Sequence, residues 1–207
     1  MMPLADTLQP FITELGAGTP TPGGGSAAAA VGAMGAALVG MVCRLTIGRE
    51  KYAGVETQMK DSLARAEALQ TELTQLIDRD AEAFNRVMAA FRLPKTTDNE
   101  KAARREAIQT ATKTATLTPL ATARACAAII ELGQVAVEKG NPNAVSDAGA
   151  SVTFAQAGLK AAALNVLINL PAITDETFVT THRAELDRIL ASYDLADQVY
   201  ESVKSKI

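Results

Sequence analysis

The sequence predicts an all-α fold, a helical bundle of five to seven helices forming a single domain over residues 1–207. Three observations lead there. Apolar residues recur at steps of three and four through every long segment, no run alternates with the period of a strand, and glycine and proline punctuate the chain between the periodic segments. At 207 residues the chain is long enough to bury a core without metal or disulfide support.

Leu4, Leu8, Phe11, Ile12 and Leu15 mark a first amphipathic helix ending at Gly16. A loop over residues 16–25 follows, and Ser26 is the expected N-cap of a helix running to about Ile47. In that helix Ala28, Gly32, Gly35, Ala36 and Gly40 give a smooth face, and the glycines, each costing about 0.5–1 kcal/mol against alanine, point to close helix packing or ligand access. The next helix, over residues 49–91, carries Leu63, Leu69, Leu73, Leu76, Phe84, Val87 and Phe91 on its buried side. Asp80 lies within that stripe and is expected to face the interior or a cleft. Thr97 and Glu100 form a capping box for the following helix, which Pro119 is expected to kink or break near residues 116–118. Gly140 is the expected C-terminal cap. Asn141 or Asn143 caps the helix after it, which stops before Pro171, and residues 174–176 open a final helical region in one or two pieces.

Charge and composition narrow the function classes. A net charge of -3 without a lysine or arginine cluster argues against nucleic-acid binding. Cys43 and Cys126 are isolated among small apolar residues and read as buried free thiols in a reducing, cytoplasmic setting. With His182 the only histidine, no metal site is expected. The uncharged run over residues 27–43 is short for a membrane span and rich in alanine and glycine, so it reads as a buried helix, and the acidic amino terminus does not suit a signal peptide.

Three constellations carry chemistry. Pro20-Thr21-Pro22-Gly23-Gly24-Gly25-Ser26 brings backbone amides to a helix N-terminus without a Walker lysine, a place that suits an anion or a flat ligand. Lys51 and Tyr52 open the long helix, and a lysine near a cleft can shuttle a proton or hold an oxyanion. The helix beginning near Asn143 places Asn143, Asp147, Ser151, Gly158, Asn165 and Asn169 near one line. Asp147 and Asn165, eighteen residues apart, share a heading about 27 Å apart along the axis. Such a stripe of amides, one hydroxyl and one carboxylate points to a long ligand or a polar subunit seam.

Taken in order, the blocks Pro20-Thr21-Pro22-Gly23-Gly24-Gly25-Ser26, 44–52, Asp80-Ala81-Glu82-Ala83-Phe84, 140–149 and Asn165-Val166-Leu167-Ile168-Asn169-Leu170 resemble the cyclodeaminase/cyclohydrolase family across nearly the whole chain. That resemblance implies an all-helical, intertwined homodimer that binds a tetrahydrofolate derivative near the subunit interface, with neither nucleic acid nor membrane as partner. It implies one of two reactions at the same carbon: loss of ammonia from 5-formiminotetrahydrofolate, or addition of water to 5,10-methenyltetrahydrofolate. Both need a proton shuttle, for which Lys51, Asp80 and Asp147 are the candidates. Gly23, Gly24, Gly25, Ser26, Asn141, Asn143, Ser146, Asn165 and Asn169 are the expected substrate-binding set. The competing reading is a noncatalytic helical module whose polar stripe is a dimer seam.

Overall fold

The computed structural model describes residues 4–207, which form seven α-helices and no strand among the described residues. Helices α2 (Gly24–Thr46), α3 (Glu56–Phe91), α4 (Asp98–Lys139) and α5 (Val145–Asn169) build the bundle. α2 and α5 lie side by side, α4 packs beneath both, α3 flanks α2, and α6 (Glu176–Leu190) and α7 (Ser192–Lys204) close the other flank. The core is made of Val39, Val42, Met59, Leu73, Leu120, Ile129, Ile130 and Leu159, all sealed from solvent.

The glycines of α2 serve packing. A methyl on Gly35 would stand 2.9 Å from the Ser151 carbonyl, and one on Gly158 of α5 would stand 2.9 Å from that of Ala28. The two backbones therefore meet directly, antiparallel, with Gly24 at the Asn165 end and Gly35 beside Ser151 and Ala155. α2, α4 and the segment around α5 are each long and apolar enough to cross a membrane, and here they form the bundle interior.

Several expectations change. Ser26 is not the cap: Gly23 takes that position without a side-chain bond, and Ser26 is the third helical residue, buried and turned toward α3. The long helix starts at Glu56, because Glu50–Val55 winds as a 3-10 turn before it. Phe84 and Phe91 are 37% and 49% exposed rather than buried, since α3 runs on past Gly24, where α2 begins and no helix covers that face. Pro119 does not break α4. Its ring removes the amide that would bond Ala115, and the Asn169 side chain supplies a donor instead, 2.9 Å from the Ala115 oxygen. Gly140 does sit at the helix end, but in extended backbone, and a side chain there would strike the Ala136 carbonyl and Val42.

The Thr97–Glu100 capping box forms, whereas neither Asn141 nor Asn143 caps α5: Ala144 holds that position without a side-chain bond, and Asn141 caps the short 3-10 turn Pro142–Ala144 before it, its oxygen taking the Asn143 amide at 3.1 Å. Asp175 caps α6, accepting the Phe178 amide. Helix α1 (Leu4–Leu15) has the predicted period, yet Leu8 and Ile12 are exposed, because no other helix packs closely on it.

Candidate active site

A cleft of about 320 Å³ opens where the N-terminus of α2 meets the last third of α3 and the C-terminal end of α5. The glycine turn, the Asp80-Ala83-Phe84-Val87 face of α3, and Asn165, Ile168 and Asn169 of α5 line it. The position of each polar group follows from local chain chemistry. Three glycines let the first turn of α2 press against α3, and a methyl on Gly25 would run into the Asp80 carboxylate. Asp80 thus sits at a helix N-terminus, where unpaired amides and the helix dipole favour negative charge.

The Ser26 hydroxyl lies 3.2 Å from Asp80 Oδ2 and 2.8 Å from the Ile77 carbonyl, tying α2 to α3 at this point. Burial raises the Asp80 pKa above the usual carboxylate value, opposed by the Ser26 hydroxyl and amide. Asp80 is the one titratable side chain in the lining. It is therefore the group there able to exchange a proton.

The asparagines are fixed by backbone carbonyls. Asn169 Nδ2 donates to the Ala115 and Asn165 oxygens at 2.9 and 3.0 Å, which uses both of its protons and leaves its Oδ1 as an acceptor. Asn165 Nδ2 donates to the Ala161 carbonyl at 2.9 Å. Because a carbonyl can only accept, neither amide can be turned end for end without losing these bonds.

Of the residues the sequence singled out, Gly23, Gly24, Gly25, Asp80, Asn165 and Asn169 line this cleft, with Ser26 directly behind Asp80. Lys51, Asn141, Asn143, Ser146 and Asp147 do not. They gather at the opposite end of α2 and α5, where the Tyr52 hydroxyl donates to Asn141 Oδ1 at 3.1 Å and the Lys51 ammonium lies 4.6 Å from the Tyr52 ring centre. Asn141 is buried and committed internally: its amide donates to Thr46 Oγ1 at 2.9 Å and its Nδ2 to the Leu45 carbonyl at 3.3 Å. It fastens the end of α2 to the start of α5. Ser151 and Gly158, in the middle of the stripe, are buried inside the bundle against α2 and α4, so the stripe is not one continuous ligand surface.

The apolar wall of Phe84, Val87 and Ile168 was missed as part of the site. Its signal was available, because Phe84 and Val87 follow Asp80 at helical spacing and share its heading. Among the described residues no group of three potential metal ligands occurs.

A methenyltetrahydrofolate cyclohydrolase of Methylorubrum extorquens is 50% identical over 203 residues, with 98% of both chains covered. The formimidoyltransferase-cyclodeaminase of Rattus norvegicus is 35% identical over 89% of this chain, which spans about a third of that relative's length. The crystal structure of formiminotetrahydrofolate cyclodeaminase from Thermotoga maritima superposes with a TM-score of 0.79 at 31% identity, covering 96% of this chain and 94% of that one. The family profile described as formiminotransferase-cyclodeaminase matches residues 7–188, and the chain belongs to that family.

Proposed function

We propose that this protein is a cytoplasmic, homodimeric methenyltetrahydrofolate cyclohydrolase that needs no metal and uses Asp80 as its proton acceptor. The observation that carries the reading is the lone carboxylate, fixed against the first turn of α2 in a cleft lined by no lysine, arginine or histidine. The identity to the Methylorubrum cyclohydrolase over nearly the full length of both chains supports it.

The chemistry suits such a cleft. The methenyl carbon bridges two nitrogens that share a positive charge, so a carboxylate and amide oxygens stabilise the bound substrate where a lysine would repel it. Water attacks that carbon, and Asp80 takes the proton the water loses, giving a neutral carbinolamine. The bond to N5 then breaks as N5 takes the proton held by Asp80, the hydroxyl proton passes to solvent as the carbon–oxygen double bond forms, and the formyl group stays on N10, with one proton released overall. Asn165 and Asn169 hold the ring system in place, and the first amides of α2 face its acceptors. A cleft of about 320 Å³ takes the bicyclic ring, and the rest of the folate extends outward.

The decisive experiment follows the methenyl absorbance after adding the protein to 5,10-methenyltetrahydrofolate. Rapid loss with the wild type, abolished in Asp80→Asn, supports the reading, and a rate equal to the uncatalysed one sinks it. The second reading, cyclodeamination, is favoured by the fold match to the Thermotoga protein. Ammonia released from 5-formiminotetrahydrofolate would report that activity.

A further inference from the structure

Two bonds lock the Asn169 side chain, and one of them stands where a proline outside the cleft has removed a backbone donor. In a regular helix the amide of residue 119 would bond the Ala115 carbonyl, and Pro119 has no such amide. The threonines of α4 do not fill the place. The hydroxyls of Thr112, Thr114, Thr116, Thr118 and Thr122 each donate to the carbonyl four residues earlier, and none of these is Ala115. That carbonyl takes one proton of Asn169 Nδ2, and the Asn165 carbonyl, within α5, takes the other. Ala115 and Asn169 line the cleft, whereas Pro119 is buried and does not.

The result is a side chain of fixed polarity. With both protons in use, the Asn169 amide has its oxygen left for a ligand, so it can accept a hydrogen bond and cannot donate one. Asn165 differs, because its Nδ2 bonds the Ala161 carbonyl and keeps a second proton. Asn169 lies one helical turn, about 6 Å, beyond Asn165, on the side away from the Gly24-Gly25 turn that abuts Asp80. In a reduced folate the reacting carbon and the 2-amino group of the pyrimidine ring stand at opposite ends of the bicycle. Resting on the function proposed above, we infer that Asn169 reads that amino group, and that Pro119 is a positioning residue which holds Asn169 in its accepting orientation. With the reacting carbon at Asp80, the amino group reaches toward Asn169, whose oxygen meets an N–H donor. A ring with a carbonyl there sets acceptor against acceptor, and one with a methyl leaves the oxygen without a partner. The cleft thereby selects an aminopyrimidine ring. Ammonia loss and water addition share that ring, so the selection serves either reaction. An amide restored at residue 119 competes for the Ala115 carbonyl and releases one Asn169 proton, which blurs the selection without touching the cleft.

The test compares 5-formyltetrahydrofolate with its 2-desamino-2-methyl analogue by titration calorimetry, which needs no turnover. The wild type is expected to bind the amino ring about 10- to 100-fold more tightly. In Pro119→Ala that ratio should fall by about threefold or more, and in Asn169→Ala it should approach one, with helix content checked by circular dichroism. A merely structural role for either residue would weaken both ligands alike and leave the ratio where it was. With 5,10-methenyltetrahydrofolate, Pro119→Ala should raise KM and keep kcat, because the group it loosens is remote from the reacting carbon. Should Asn169→Ala fail to fold, Pro119→Ala decides alone. A ratio unmoved in Pro119→Ala, or a loss of kcat at constant KM, overturns the positioning role, and a ratio unmoved in a folded Asn169→Ala overturns its reading of the amino group. Equal binding of the two rings by the wild type overturns this inference and leaves folate as the substrate class, whereas binding of neither ring overturns the proposed function and this inference with it.

Discussion

The Asn169 side chain donates to the Ala115 carbonyl, the acceptor in α4 that Pro119 leaves without its backbone partner. One residue thereby repairs a helix and presents an oxygen to the cleft. Asn169→Ala is expected to destabilise the fold by about 1–3 kcal/mol, the usual cost of stranding a buried acceptor. In a Pro119→Ala background, where the backbone amide is restored, the same change should cost less. Denaturant unfolding of the four proteins of this double-mutant cycle measures the difference, and a coupling of zero would refute the link.

Asp80→Asn should lower turnover by about 10²–10⁴-fold, the typical contribution of a positioned acid–base group. Its effect on stability should have the opposite sign. Burial raises the folded-state pKa of Asp80, so the stability it contributes is complete below the ordinary carboxylate pKa and is lost as pH rises through the raised one. At pH 7 the variant is therefore expected to melt no lower than wild type, and any advantage should shrink as the pH falls. Thermal melts across this range check it. Ser26→Ala removes a group that lowers the Asp80 pKa, so the acidic limb of the rate profile should move to higher pH.

Neighbouring glycines of the turn should differ sharply. An added methyl at Gly24 meets only Asn165 Nδ2, at 3.6 Å, whereas at Gly25 it collides with the Asp80 carboxylate. Gly25→Ala is expected to lose most turnover with little change in helix content, and Gly24→Ala to keep the larger share. Steady-state rates on the two variants decide this.

Cys43 and Cys126 should resist thiol reagents in the native protein. Burial pushes their pKa values to about 11 and about 12, and both side chains are sealed from solvent. With an Ellman-type reagent at pH 8 both thiols are expected to appear only as denaturant unfolds the chain.

Helical periodicity made the order of elements readable, and cap chemistry located Thr97 at the start of α4. It failed where tertiary contacts override local preference. Ser26 looks like a cap from its neighbours, but three glycines allow the helix to begin earlier and send its hydroxyl across to α3. Pro119 reads as a break until a side chain fifty residues onward compensates for it. The polar line on α5 was visible, yet helical spacing could not tell that its centre is buried against α2 while its two ends open in different places. Phe84, read as core, lines the cleft because α3 outruns its neighbour, a fact of relative length that no local window contains.

The direct meeting of the α2 and α5 backbones, at Gly35 with Ser151 and at Gly158 with Ala28, fixes how wide the mouth between Gly24 and Asn165 stands. Main chain lacks rotamers, so that gap behaves like a caliper locked at its hinge. Thermal jostling of side chains leaves its setting alone, and a single methyl at either glycine would reset the jaws from a distance.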